Sequence, residues 1–357
     1  MSGRALLYGA SGYTGREVAR ALVGADLVLA GRDEERVRAV AEPLGLPWRV
    51  FDLAEEDRLV RALADIDVVL HAAGPFDVTA RPMLEACLLT GTHYLDLNGE
   101  WPGFLEAMAY DAAARAADVM LMPGVGLTIV ATDCLLALAK QRWPDTDRFR
   151  LGISKAQVVT RGSVASVARL LSPEVLIRRN GELVAAPAGR LTHAFDFGEG
   201  LSECAAMNWA DLVTGAFTTG VPNIEVYSEL GWSQRASYVA SGLAMRVTGA
   251  SAWRSIGGAL AAAWPEGPDE AARRDAGFVM VVEALDPWRR ARRLRLRTLD
   301  GYTVSVLTAA EAVRRVLAGE GTAGFQTPAR VFGPEFVLEV GGAMLEAPAE
   351  QMGGAAA

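Results

Sequence analysis

Leu6-Leu7-Tyr8-Gly9-Ala10-Ser11-Gly12-Tyr13-Thr14-Gly15-Arg16 runs from an apolar strand through three glycines spaced three apart into a helical pattern carried by Val18, Ala19, Leu22 and Val23. Strand, glycine turn and helix in that order build a cradle for a pyrophosphate. Gly9 permits the sharp turn off the strand, Gly12 lets backbone approach the phosphates, and Gly15 lets the helix pack closely on the sheet. Ser11, Tyr13 and Thr14 lie between these glycines, where the first-turn N–H groups of the helix face an anion. The glycine spacing alone also describes an ordinary strand-turn-helix corner, so the argument rests on its position between an apolar run and a helical one.

Around that stretch, 357 residues of which 51% are hydrophobic can bury a large core and divide into two domains. A formal charge of −8 argues against a nucleic-acid partner, and the densest basic run, Arg289 to Arg297, alternates with apolar residues as a strand with a solvated face does. The N-terminus lacks a basic segment followed by an apolar one, and the most apolar long stretch, Tyr238 to Trp264, is interrupted by Arg246 and Arg254. A soluble, cytoplasmic protein without an integral membrane span is expected. Cys87, Cys134 and Cys204 are too scattered for a disulfide framework or a metal site, so they read as core filler and no metal is expected.

Taken in order, the first 125 residues alternate strand and helix signals, the pattern of a Rossmann-type doubly wound parallel sheet. Strands are expected near Ala5 to Tyr8, Asp26 to Ala30, Trp48 to Asp52, Asp67 to Ala72, His93 to Leu97 and Val119 to Met122. Helices are expected over Glu34 to Glu42, which Pro43 ends, and over Glu55 to Leu63 and Arg81 to Leu89. In the NAD-type site an acidic residue ends the second strand and binds the ribose 2′-hydroxyl. Here that strand ends Ala30-Gly31-Arg32. An arginine offers a planar fork to a 2′-phosphate, which favours NADP (as NADPH), with Arg36 or Arg38 as helpers. Asp33 follows directly and leaves the point open, because it serves equally as a helix cap. Asp52 reads as an adenine contact or as the cap of the next helix. Ala73, Gly74 and Pro75, with Ala72 and Phe76 beside them, form a small-residue turn against which a ribose and nicotinamide can lie. Asp96-Leu97-Asn98-Gly99-Glu100 ends the fifth strand at the same edge, where carboxylates orient substrate or relay a proton, or merely cap backbone.

The run Gly9 to Arg16, Gly31-Arg32, Ala73 to Phe76 and above all Gly91-Thr92-His93-Tyr94-Leu95-Asp96 with Gly99-Glu100 resemble the saccharopine dehydrogenase-like oxidoreductases. Within that group the chain is most similar to the short bacterial branch that includes trans-acting enoyl reductases. Met122 to Gly126, Thr132-Asp133-Cys134, Arg161-Gly162-Ser163, Thr219 to Tyr227 and Gly324 to Ala329 extend the resemblance over nearly the whole chain. Where relatives commonly carry Gly-Phe-Asp, this chain has Gly126-Leu127-Thr128, which removes a carboxylate.

Residues 1–125 are thus expected to bind dinucleotide. Residues 126–308 should form a second, α+β domain for substrate and dimerisation with a mainly antiparallel sheet, and 309–357 a helix and tail returning to the first. Strands are expected over Phe149 to Val159, Leu183 to Ala185, His193 to Phe197, Gly277 to Leu285, Ala291 to Leu299 and Tyr302 to Leu307, with a helix over Thr308 to Leu317. Arg161, Ser163, Asn223, Glu225 and Tyr227 stand in glycine-bounded turns as candidates for the cleft wall, with turn chemistry the plainer explanation. The Trp232 to Trp264 segment reads as core packing, a lid, a dimer face or a membrane-touching helix pair.

The resulting expectation is a homodimeric NADP-dependent oxidoreductase moving hydride to or from a C=N, C=O or activated C=C bond of a small molecule. Glu100 or Tyr227 is its proton donor, Asp133 positions substrate, and Asp96 holds the loop of Glu100. A non-catalytic NADP-sensing or scaffold protein is the alternative. A semialdehyde-forming acylphosphate reductase fits less well, because the loop that would carry its thiol reads Pro123-Gly124-Val125.

Overall fold

The computed structural model describes residues 3–156, 160–161, 172–249, 259, 262–265, 267, 270–274 and 276–346. Six strands at the N-terminal end are β1 (Ala5–Tyr8), β2 (Leu27–Gly31), β3 (Trp48–Val50), β4 (Val68–His71), β5 (His93–Asp96) and β6 (Met120–Met122). Between them run α1 (Tyr13–Ala21), α2 (Glu34–Leu44), α3 (Glu56–Leu63), α4 (Phe76–Thr90), α5 (Trp101–Ala109) and α6 (Asp111–Ala116). All these strands pair in parallel, and β1 lies between β2 and β4. The chain therefore winds outward in both directions from β1, which opens a crevice at the carboxyl ends of β1 and β4. Both faces are covered, so β1, β2 and β4 are wholly buried and read as continuous apolar runs rather than alternating ones.

After α7 (Leu127–Arg142) come β7 (Arg148–Ile153), β8 (Glu174–Arg179), β9 (Glu182–Pro187), β10 (Thr192–Asp196) and β11 (Leu201–Ala206). Then follow α8 (Asp211–Thr219), β12 (Asn223–Glu229), α9 (Trp232–Thr248), α10 (Glu270–Arg274), β13 (Phe278–Leu285), β14 (Ala291–Thr298) and α11 (Gly301–Leu317). Next, β15 (Gly324–Phe325) pairs in parallel with β6 and completes the first sheet in the order β15-β6-β5-β4-β1-β2-β3. After α12 (Pro328–Phe332) and α13 (Phe336–Glu339), β16 (Ala343–Glu346) pairs with β14. The second sheet runs β10-β11-β12-β7-β13-β14-β16, with β8 paired to β12 and β9 to β8, and among the described pairs only β12–β7 is parallel. The chain is a Rossmann-type parallel sheet with a second, mainly antiparallel sheet.

The two sheets share one core. Phe149, Leu151, Ile224, Val226, Met280 and Val282 on one face of the second sheet pack with Val130, Leu135 and Leu136 of α7 and with Val304 and Val313 of α11. The other face carries a smaller cluster of Phe195, Phe197, Cys204, Tyr227, Tyr238 and Val281. All three cysteines are buried thiols, as core filler should be.

Several expected elements differ. Tyr302 to Leu307 is the first part of α11, not a strand: the Asp300 side chain accepts the N–H groups of Tyr302 and Thr303, and Ser305 Oγ donates to the Gly301 carbonyl. The expected boundary at 308 therefore falls within a continuous helix. Asn223 to Tyr227 is a buried strand rather than a turn. Pro43 does not end α2 but sits in its last turn, where Gly45 in the left-handed conformation closes it. Of the Trp232 to Trp264 segment, Trp232 to Thr248 is helical with Tyr238 buried and Trp232 80% exposed. Residues 250–258 and 260–261 of it lie outside the described residues. Among the described residues no helix is long and apolar enough to cross a membrane.

Candidate dinucleotide and active site

The glycine loop is fixed by the fold at two of its three glycines. Gly9 has φ +90°, and a Cβ there would lie 2.8 Å from the Ala72 carbonyl carbon and the Ala73 nitrogen. A Cβ on Gly15 would lie 2.3 Å from the Gly9 carbonyl oxygen. Gly12 differs: its φ of −74° suits any residue and its nearest neighbour would be the Gly9 oxygen at 3.3 Å. A Cβ there would be tight against that carbonyl without being excluded by it. Gly12 begins α1 with no side-chain cap and no acidic residue in the first turn, and the first i→i−4 bond is Arg16 N–H to Gly12 at 3.0 Å. Ser11 and Thr14 flank that opening, and the Ser11 carbonyl accepts Arg16 Nη1 at 2.8 Å, which braces the loop.

At the end of β2, Arg32 and Asp33 stand in different surroundings. The Asp33 carboxylate accepts the Arg36 N–H at 3.1 Å as the N-cap of α2. Arg32 is exposed, and burial and the Asp52 charge raise the Tyr8 hydroxyl pKa while the Arg32 charge lowers it. Arg38 lies 3.8 Å from Glu42 along the helix. Asp52 Oδ1 accepts the Ala54 N–H at 2.9 Å and so holds the turn before α3. After β4, the Ala73 and Pro75 carbonyls both accept the Thr79 hydroxyl, at 2.8 and 3.0 Å, leaving Gly74 and Pro75 exposed at the crevice. His71, one turn below, is buried; burial pushes its pKa down to about 3 and it stays neutral.

The end of β5 is built around Asp96. Its carboxylate accepts Tyr94 Oη at 2.6 Å and the Asn98 and Gly124 N–H groups at 2.8 and 2.7 Å, while Asn98 Oδ1 accepts the Glu100 N–H at 2.8 Å. Burial raises the Asp96 pKa to about 6 against the opposing pull of these donors, and the Glu100 charge pushes the same way as burial. Asp96 thus holds the loop of Glu100, which is 7% exposed and bridges backbone to backbone with Trp209.

The other two candidates are not brought to Glu100. Asp133 is buried in the middle of α7, where it accepts Thr218 Oγ1 and the Ala329 N–H, the latter at 2.9 Å, so it clamps α8 and α12 to α7. Its role as a substrate group is replaced by that of an anchor. Tyr227 donates to Glu225 at 2.9 Å on the face of the second sheet turned away from α7 and α11, and burial raises its pKa beyond the ordinary phenol range. There Glu225 faces Arg148 and Arg150, both at 3.3 Å, and Glu283 meets His193 at 2.9 Å and Arg293 at 2.8 Å. Asn223 accepts the Asn180 N–H and donates to the Asp147 carbonyl, which fixes a strand end. Arg161 donates to the Trp264 carbonyl, and Ser163 lies outside the described residues.

What the sequence reading missed is the second domain's grip on the glycine loop and on the loop after β6. Ser305 Oγ accepts the Leu127 N–H at 3.0 Å and Thr308 donates to the Val125 carbonyl at 2.8 Å, while the Tyr302 ring meets Tyr13 edge-on at 5.5 Å. The Asp300 to Thr303 cap was the available signal. Leu127, standing in the Gly126-Leu127-Thr128 departure, is buried against Gly301.

Residues 5–122 match the family described as Saccharopine dehydrogenase NADP binding domain. A trans-acting enoyl reductase of Mycobacterium ulcerans is 36% identical over 104 residues, 27% of this chain and 25% of that protein. A probable mitochondrial saccharopine dehydrogenase-like oxidoreductase of Arabidopsis thaliana is 27% identical over 158 residues, 39% of this chain and 35% of that one. The matched stretch thus spans about a quarter to a third of these relatives. Over whole chains, apo saccharopine dehydrogenase (L-Glu forming) from Saccharomyces cerevisiae superposes with a TM-score of 0.64 at 13% identity, covering 97% of this chain and all of that one. Homospermidine synthase from Legionella pneumophila, in complex with NAD, gives 0.63 at 9% identity, covering 100% and 95%. Both carry the fold alone.

Proposed function

We propose, from a nucleotide domain that belongs to the saccharopine dehydrogenase NADP-binding family, that this chain is an NADP-dependent oxidoreductase. The observation that carries the choice of NADP is at the end of β2, where the Asp33 carboxylate is engaged as a helix cap and the Arg32 guanidinium is left exposed. A 2′-phosphate there meets a planar cation, while the neighbouring Asp33 carboxylate is engaged through one oxygen with the first turn of α2. Gly9, Ser11, Gly12, Tyr13, Thr14 and Gly15 hold the pyrophosphate, Asp52 borders the adenosine, and Ala73, Gly74 and Pro75 take the nicotinamide ribose. When bound, the cofactor supplies hydride to a C=N, C=O or activated C=C bond of a small molecule lying between the two domains.

The chain's own part in the chemistry is to hold a proton beside the developing negative charge. Glu100 is the group placed for that work: it is nearly buried, stands at the carboxyl edge of the sheet, and shares its surroundings with the charge of Asp96. Burial and, to a lesser degree, the charge of Glu100 raise the Asp96 carboxyl to about 6, so this edge of the sheet holds a proton more readily than exposed carboxylates do. Screening imines, enones and enoyl thioesters by loss of NADPH absorbance, with Glu100→Gln alongside wild type, tests the reading. A substrate reduced by wild type and much more slowly by Glu100→Gln, with NADPH affinity kept, supports it. Equal rates would remove Glu100 from the chemistry, and no turnover with bound NADPH would favour a sensor. The reading includes a cytoplasmic homodimer joined through the second domain, where β16 forms an edge with Met344 57% exposed. Light scattering at micromolar concentration should then give twice 37.9 kDa.

A further inference from the structure

We propose that Arg273, carried by α10 of the second domain, is the cation that neutralises the pyrophosphate of the dinucleotide on the glycine loop. The inference rests on the dinucleotide-binding reading above. Tyr13 stands between Gly12 and Thr14, in the middle of that loop, yet its ring serves as a platform for the second domain. Tyr302 meets it edge-on at 5.5 Å, and the Gly267 backbone lies so close that a Cβ there would come within 2.5 Å of Tyr13 Cε2. The Tyr302 hydroxyl in turn accepts the Thr160 N–H at 2.6 Å, so a further part of the same domain is tied to this contact.

Arg273 follows Gly267 by six positions, and its charge acts on the Tyr13 hydroxyl. Its Nε is buried and has no hydrogen-bond partner. A guanidinium carries only donors, and a buried donor without an acceptor is unfavourable until a ligand brings oxygens to it. The loop's own arginine, Arg16, donates Nη1 to the Ser11 carbonyl and braces the backbone. The start of α1 offers about half a positive charge, against two negative charges on a pyrophosphate. A guanidinium adds a full charge to that partial one, and its planar fork suits phosphate oxygens.

The phosphate that Arg32 recognises is present only in NADPH, whereas the pyrophosphate is common to NADPH and NADH. Titration of NADPH, NADH and 2′-AMP against wild type, Arg273→Gln, Arg273→Lys and Gly267→Leu separates the two roles. Arg273→Gln should weaken NADPH and NADH by the same factor, about tenfold or more as for loss of a charge-assisted contact. It should leave 2′-AMP affinity and the melting temperature of the unliganded protein unchanged, and Arg273→Lys should restore part of the loss. Gly267→Leu, which drives a side chain into the Tyr13 ring, should show the same equal loss. Unchanged NADPH and NADH affinity in Arg273→Gln overturns the proposal. So does a loss that extends to 2′-AMP with a lowered melting temperature, which would make Arg273 structural. A wild-type protein that binds neither dinucleotide overturns the cofactor reading itself.

Discussion

Asp211 opens α8 entirely buried, and neither carboxylate oxygen has a hydrogen-bond partner. Thr132 stands beside it and pulls its pKa down somewhat, but the Thr132 hydroxyl donates to the Thr128 carbonyl. Burial is the largest influence, the Asp133 charge adds to it, and together they raise the Asp211 pKa from 3.8 to about 7. In the folded chain Asp211 keeps its proton at pH values where the unfolded chain has lost it. Its contribution to stability is therefore present below about pH 4 and is lost as pH rises toward 7. A shift of that size corresponds to about 4 kcal/mol over the whole range at 1.36 kcal/mol per pKa unit, of which about 1.4 kcal/mol falls between pH 6 and 8.5. That window stays above the sequence pI of about 5.2. Asp211→Asn removes the titration while keeping the shape, although its amide donors cost about 1 to 3 kcal/mol if they find no acceptor. Urea unfolding at several pH values should show Asp211→Asn less stable than wild type at pH 6 and closing the gap by about 1.4 kcal/mol at pH 8.5. A stability difference constant across that window would refute the argument that Asp211 is protonated by burial.

Further expectations follow from individual contacts. Gly15→Val, which places carbon against the Gly9 carbonyl, should abolish dinucleotide binding in a titration even where circular dichroism shows retained secondary structure. Asp300→Ala removes the cap of α11 and should cost about 1 kcal/mol in denaturant unfolding. Asp133→Ala leaves the Ala329 N–H and Thr218 hydroxyl without their acceptor and should destabilise by about 2 kcal/mol or more, while its effect on cofactor affinity stays small.

The first sheet was legible because its signals are local: apolar runs of strand length, glycines at a turn, and helical spacing between them. The glycine roles followed from the same stretch, except that only the structure separates Gly9 and Gly15, where a Cβ would collide with backbone, from Gly12, where it would be tight but not excluded. The second sheet was harder. Asn223 to Tyr227 lies between glycines and so reads as a turn, although its polar and apolar residues alternate as in a strand, and β7 and β11 pair with it from distant parts of the chain. In Tyr302 to Leu307 the β-branched residues suggested a strand, but the Asp300 cap and packing against α7 and α1 made a helix. Asp133 and Tyr227 show the remaining gap. Residue type marks Asp133 as a group to position substrate and Tyr227 as a proton donor, but which way a side chain faces depends on long-range pairing, and it sends one into the helix core and the other to the far face of a sheet.

The most direct test is an equilibrium titration of the wild-type protein with NADPH and with NADH, repeated with Arg32→Ala. The account predicts saturable binding of both, NADPH tighter by about 1.5 to 3 kcal/mol, and loss of that preference in Arg32→Ala with NADH affinity unchanged. Equal affinities in the wild type, or a preference that survives Arg32→Ala, would contradict it.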